Sequence, residues 1–276
     1  MAGPVKIIRR GETVKNLLTP TQPEVTKEFK THRGPRRVAW KLGIYGEPGV
    51  GKSTLGSLCP GAKFADIENS MQDLNVEVVL GITKWEELRA WVKQRLGLGY
   101  SGIDSMSKAE DWCAEYVIKT KMKDGEYAQT SIEDFKYAAG SKFVADEFRL
   151  LLSDIDRSFE SGMSWIMMAH NKVDWFKNPD DKDFMFNSPD LIDTKKASVR
   201  ADWIRFCDHI AFIAKDVAVT KGKAIGGSGR TIYMDGNASR VSKQRGLDID
   251  ALTWPVGDIT LWKKLGAVKQ NEEKSE

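Results

Sequence analysis

The chain has 276 residues, 42 Lys+Arg against 39 Asp+Glu, three cysteines and a net charge of +3. That length buries a substantial core in one large or two small domains. The composition excludes a disordered chain, no apolar run reaches membrane-span length, and Cys59, Cys113 and Cys207 form no C-x-x-C pair.

An N-terminus without a secretory apolar region, and dispersed cysteines, point to reduced thiols in the cytoplasm. His32, His170 and His209 have no metal-ligand spacing with those cysteines, so a zinc-type site is not expected. Residues 1–37 carry nine Lys/Arg against three Glu, a charge of +6, which leaves −3 for the remainder. They read as a basic arm, either a solvated leader or a contact for nucleic acid or a neighbouring subunit. Residues 38–265 read as one domain and 266–276 as a polar tail.

From Val38 to Tyr45 the pattern predicts a strand, followed by a Gly-rich loop and a short helix over Ser53–Leu58. Cys59-Pro60-Gly61 breaks the pattern before a second strand, Ala62 to Glu68, and Leu74 to Leu80 reads as a third extended piece. Thr83, with Glu86 three residues on, suggests the cap of a helix bearing Trp85, Leu88, Trp91, Val92 and Leu96. Gly99 to Asp104 reads as a strand poor in bulky residues, then a helix runs through Trp112 and Val117 to a charged connection, Lys119–Tyr127. An amphipathic helix is expected from Ser141 to Glu160, and the apolar run Met163–His170 is a strand buried on both faces. Asn171 to Ser198 reads as a long irregular stretch. Cys207–Val219 and Arg230–Met234 are two more strands separated by Gly226–Gly229, with a last short helix at Leu261–Leu265. Strands alternating with helices give an α/β fold: a mainly parallel central sheet, helices on both faces and an antiparallel C-terminal edge.

The octet Gly46-Glu47-Pro48-Gly49-Val50-Gly51-Lys52-Ser53 matches G-x-x-x-x-G-K-[ST]. Its glycines let successive N–H groups face one anion, and Lys52 can reach the β- and γ-phosphates. Ser53 can ligate Mg²⁺, and Ser53-Thr54 open a helix whose N-terminus favours negative charge. ATP and Mg²⁺ are the expected ligands of these nine positions. Asp104, at a strand end, is the candidate second Mg²⁺ ligand with Ser53; Asp66 and Asp235 also end strands, and the alternative for Asp104 is a cap of the following helix. Glu68 and Asp66 share a strand face and compete to orient or deprotonate water; Glu68 is preferred. His170 ends the buried strand at the same edge, where it can sense a γ-phosphate or be structural.

Phe64–Asn69, Gly102–Ser105, Met167–Asn171 and Val241–Arg245 follow one another in an order that resembles the RecA-type P-loop ATPase core. Within it the chain is most similar to the short phage RecA-like ATPases of single-strand annealing and recombination, over roughly Val38 to Arg245. The resemblance implies that Glu68 activates water and His170 reads the γ-phosphate. It also implies that Lys243 and Arg245 reach the nucleotide of an adjacent subunit. Its expected partners are single-stranded DNA, further copies of the chain in a head-to-tail ring or filament, and a single-strand-binding protein, in a bacterial host cytoplasm and with no membrane.

After His170, aromatic and cationic residues interleave, and Lys172, Trp175, Phe176, Lys177, Lys195 and Lys196 are candidate DNA contacts. In RecA-type proteins the corresponding loop lines the DNA path. Six Asp between 174 and 193 dilute that charge, and the alternative is a loop folded on the core or at a subunit interface. Lys119, Lys121 and Lys123 form a second candidate cluster, or a solvated helix end. The competing functions are a nucleotide-gated binder with little turnover, a helicase-type motor, and a small-molecule kinase whose acceptor site and Arg-bearing lid the sequence does not reveal.

Overall fold

The computed structural model describes residues 31–34, 39–121, 130–136, 139–178, 182–220 and 223–268. The chain divides into two units, Met1–Arg36 and Arg37–Glu276. Apart from residues 31–34, the expected arm lies outside the described residues, as do Val38, the connection from residue 122 to 129 and the tail from 269.

The second unit is built in the order β1 (Lys41–Gly46), α1 (Lys52–Ser57), β2 (Ala62–Asp66), β3 (Glu77–Val78), α2 (Trp85–Gln94), β4 (Gly99–Asp104) and α3 (Met106–Lys121). There follow α4 (Gly140–Glu160), β5 (Met163–Phe176), β6 (Phe184–Pro189), α5 (Val199–Phe206), β7 (His209–Thr220), β8 (Lys223–Tyr233), β9 (Ala251–Thr253) and α6 (Thr260–Lys264). The strands form a sheet in the order β3-β2-β4-β5-β1-β7-β8-β9, with β6 paired to β5 outside that path. Pairs from β3 to β7 are parallel, while β7–β8 and β8–β9 are antiparallel.

Alternation along β1 divides the core into two layers. Leu42 and Ile44 join Leu55 of α1 and Leu261 and Trp262 of α6 on one face. Tyr45 joins α2, α3, α4 and α5 on the other, through Trp85, Cys113, Phe148 and Trp203. Helix α4 presents Val144, Phe148, Leu151 and Ile155 to that layer, each fully buried, and each contributes about 1.5–3 kcal/mol by leaving water. With helices on both faces, the parallel strands end together along one edge. Gly46 lies opposite His170, and Asp66 opposite Asp104. Ligands of open α/β sheets gather at that edge.

Several expected elements differ. The poor apolar content of β4 has a steric cause: a Cβ on Gly102 would lie 2.1 Å from the Phe64 ring, so a neighbouring strand supplies the missing bulk. Helix α2 starts after Lys84, and Thr83 bonds Glu87 through both its N–H and its hydroxyl, rather than pairing with Glu86. Only Glu77–Val78 of the third extended piece pairs in the sheet. The stretch expected to be irregular contains paired strands: β5 runs past the sheet edge to Phe176, and β6 pairs antiparallel with it from Phe184 to Pro189. Gly226–Gly229 lies inside β8 instead of separating two strands. There a Cβ on Gly229 would meet the Asp216 carboxylate at 2.2 Å, beside the register shift at Lys215/Val217. Cys207 closes α5, so β7 begins only at His209.

Candidate nucleotide site

Strand β1 delivers the chain into the loop, and α1 takes it away. Gly51 sits between them at φ +103°, a conformation that a side chain would strain, and its carbonyl accepts the first helical bond from Leu55. Glu47, Pro48 and Gly49 are exposed, Val50 is buried, and Thr54 begins the second half of the first turn. The Lys52 ammonium, on a buried side chain, donates to the carbonyls of Gly46 at 2.9 Å and Glu47 at 3.2 Å. Burial lowers its pKa; the charges of Asp104, Glu68 and Glu47 oppose that shift.

Asp104 is 2% exposed and accepts hydrogen bonds from Ser53 Oγ and Ser70 Oγ, both at 2.6 Å. Burial raises its carboxyl pKa, against the pull of the two hydroxyls. Ser53 and Asp104 therefore offer hard oxygen donors at one point beside the loop, a donor set that suits Mg²⁺.

Burial works to raise the Glu68 carboxyl, but hydrogen bonds from His170 and Ser105 outweigh it and hold its pKa below the ordinary range. His170 Nε2 lies 2.8 Å from Glu68 Oε1, and Ser105 Oγ donates to the same oxygen. The bond to Glu68 raises the His170 pKa, with burial opposing. Asp66, the competing acid, turns the other way. Its oxygens accept the N–H groups of Ser70 and Met71, both at 2.9 Å, and so cap the turn that carries Ser70. The two acids that share a strand face in the sequence thus have separate tasks: Asp66 shapes a turn, and Glu68 faces His170 across the sheet edge.

The sequence model of the AAA domain family matches residues 38–246, a span that begins three residues before β1 and ends one residue after Arg245. The chain belongs to this AAA domain family. No curated protein sequence matches it. The family gives a nucleotide-binding domain of the ATPase type on a P-loop fold, and the mainly parallel sheet agrees with it.

Two groups of expected residues lie outside the loop's immediate surroundings. Lys243 pairs by its backbone with Ile210, which lies across from Gly43, three residues before the loop-bearing end of β1. Its ammonium donates to the carbonyls of Ile204 and Arg205, and burial lowers its pKa. Arg245 donates to Asp208 at 3.2 Å through Nη1 and to His209 Nδ1 through its backbone N–H. Both basic residues of this AAA domain therefore sit toward the opposite edge of the sheet from its own phosphate loop.

The hairpin leaves the loop-bearing edge directly after His170. Trp175 is 68% exposed, and Val173 and Met185 on the same face are also exposed. On the other face Phe176 stacks on Phe184 at 5.1 Å and meets Phe186 edge-on. Lys172 lies 3.9 Å from Asp174, and Lys177, Lys195 and Lys196 are exposed. Arg200 bonds both Asp174 and Asp193, tying the turn that carries Lys195 and Lys196 to the hairpin base. In the second cluster, Lys119 and Lys121 close α3, with Lys121 over the Phe143 ring, while Lys123 is outside the described residues.

Sequence reasoning missed four contributors. Ser70 and Ser105 hold the two acids, and Ser105 could have been suspected from its place after Asp104. Asn171 Nδ2 donates to Glu47 in the loop and, at 2.8 Å, to Asn187 on β6, joining the loop to the hairpin. Arg230 reaches the loop from β8, a contact across 180 residues that no local pattern signals.

Proposed function

We propose that this AAA domain hydrolyses ATP and acts on single-stranded DNA as a RecA-like recombination or annealing protein of the phage type, with each ATP site completed by the next copy of the chain. The observation that carries this reading is the continuity of β5. The strand ends its buried part at His170, hydrogen-bonded to Glu68, and then becomes the aromatic hairpin.

In this reading the loop amides and Lys52 bind the triphosphate. Ser53 and Asp104 would hold Mg²⁺, which would supply charge neutralisation to the phosphate oxygens when bound. Glu68 accepts a proton from water as the water oxygen bonds to the γ-phosphorus and the bond to the bridging oxygen breaks, releasing ADP. His170, bonded to Glu68, feels the change of charge and passes it to the hairpin. Asn171, linking Glu47 to Asn187, is a second route along the same strand. Trp175 offers a ring for base stacking, worth about 1–3 kcal/mol per base whatever the base, and Lys172, Lys177, Lys195 and Lys196 attract phosphates.

Lys243 and Arg245 support the shared site by their place. A head-to-tail contact brings one edge of the sheet of one copy against the opposite edge of the next, and closure decides between ring and filament. Cations so delivered stabilise the transferring phosphoryl group.

The test is ATP hydrolysis with and without single-stranded DNA, at low and moderate salt. Stimulation by single strands supports the proposal. Hydrolysis that depends on a small acceptor and ignores DNA would replace it with a kinase, and nucleotide binding without hydrolysis would replace it with a nucleotide-gated binder.

A further inference from the structure

The phosphate loop is held from behind by residues far away in the chain. Arg230 Nε donates to the Val50 carbonyl at 2.8 Å. The Trp254 indole covers the adjacent residue so closely that a Cβ on Gly51 would lie 3.0 and 3.2 Å from two of its ring carbons, and 3.6 Å from Arg230 Nε. The two residues are themselves joined, since Trp254 N–H donates to the Arg230 carbonyl at 2.7 Å. Trp254 is 2% exposed, and its indole N–H donates to the Asp258 carbonyl at 3.0 Å. Neither side chain can shift without disturbing the end of the β8–β9 ribbon.

Arg230 holds the carbonyl of the Val50–Gly51 peptide. A carbonyl pinned by a charged donor fixes the plane of its trans peptide, so the Gly51 N–H must point away from Arg230, which leaves it for an anion in the loop. Gly51, like Gly49 two residues before it, is held at positive φ, so this part of the loop adopts a backbone that side chains rarely take.

We propose that Arg230 and Trp254 are positioning residues that set the anion-binding conformation of the phosphate loop. They act through the Val50–Gly51 peptide and do not touch the nucleotide. The inference rests on the nucleotide-binding reading of the loop and adds to it a dependence on the C-terminal strands.

Such a role has a distinctive kinetic signature. A loop whose amides are misdirected loses affinity for ground state and transition state alike, which raises KM and leaves kcat nearly unchanged. Losing one charge-assisted hydrogen bond would weaken ADP and ATP binding about tenfold.

The experiment measures binding of a fluorescent ADP analogue and steady-state hydrolysis for the full chain, Arg230→Ala, Arg230→Lys, Trp254→Phe and Trp254→Ala, with thermal melting of each. The expected result is a parallel loss of ADP and ATP affinity in Arg230→Ala and Trp254→Ala, with kcat within about threefold of wild type. Arg230→Lys and Trp254→Phe, which keep a charge and a ring, should recover part of the affinity. If Arg230→Ala does not fold, Arg230→Lys carries the test through a smaller KM increase with kcat unchanged, and wild-type affinity in a folded Arg230→Lys and Trp254→Ala would overturn the inference. A folded Arg230→Ala with wild-type affinity would overturn the inference, as would a fall in kcat without one in affinity. If wild-type protein binds neither ADP nor ATP, the nucleotide reading itself fails, a result distinct from either of these.

Discussion

Glu68→Gln isolates the chemistry of the site from its architecture. The carboxylate oxygen Oε1 accepts hydrogen bonds from His170 and Ser105, and a glutamine carbonyl can accept both. What is lost is the negative charge and the ability to take a proton. Bonds to a charged acceptor are worth about 1.5–3 kcal/mol and to a neutral one about 0.5–1.5. Because Glu68 and His170 are both partly open to water, at 23% and 34% exposure, a stability loss of about 1 kcal/mol is expected at neutral pH. Hydrolysis should fall about 10²–10⁴-fold, the usual worth of a positioned general base. ATP affinity should hold or increase, because a negative charge beside the phosphates has been removed. The pair also predicts a pH dependence. The raised pKa of His170 makes its contribution complete below the ordinary value of 6.5 and lost as pH rises through the folded pKa. The lowered pKa of Glu68 makes its contribution complete above 4.5 and lost as pH falls through its folded pKa. Wild type should therefore show both limbs in chemical denaturation across pH, and Glu68→Gln neither. In the variant, the His170 pKa read by NMR should drop toward its ordinary value. Turnover within twofold of wild type, or an unmoved His170, would refute the assignment.

Three further outcomes are expected. Lys52→Ala should abolish hydrolysis and weaken triphosphate binding with little loss of stability, since among the described residues the Lys52 ammonium bonds the carbonyls of Gly46 and Glu47; normal turnover would remove the loop from the active site. Trp175→Ala should weaken single-stranded DNA binding by about 1–3 kcal/mol while leaving DNA-independent hydrolysis unchanged, and an unaltered salt-titrated affinity would exclude the ring from the interface. Gly102→Ala should destabilise the domain by about 1–3 kcal/mol through overpacking against Phe64, with partial rescue by Phe64→Leu in denaturant unfolding.

The legible part of this protein was the part set by local chemistry. The phosphate loop needs its glycines and lysine within eight positions, and Asp104, Glu68 and His170 are recognisable as polar residues at expected strand ends. The doubly buried run of β5 announced itself up to His170. Beyond it, alternation continues through Val173 and Trp175, but charged residues on the other face made the segment look like a loop; the strand is held there by β6 and by Arg200, neither of which is local. Glycines misled in the same way. Gly226–Gly229 looked like a break, yet Gly229 makes room for Asp216 inside a ribbon. Asp66 and Glu68 could not be separated by spacing, because what separates them is Ser70 and Met71 on one side and His170 on the other. Arg230 and Trp254 were beyond sequence reasoning, since their partners stand about 200 positions away and each side chain alone reads as ordinary strand material.

The shared site is tested most directly by mixing two inactive variants, Arg245→Ala and Glu68→Gln. Each lacks what the other supplies across a head-to-tail interface. In an equimolar random assembly about one interface in four pairs an intact Glu68 with an intact Arg245 from the next copy. Hydrolysis in the mixture should therefore rise to about a quarter of the wild-type rate, from near zero in either variant alone. A mixture no more active than its components would contradict a site completed by the neighbouring copy.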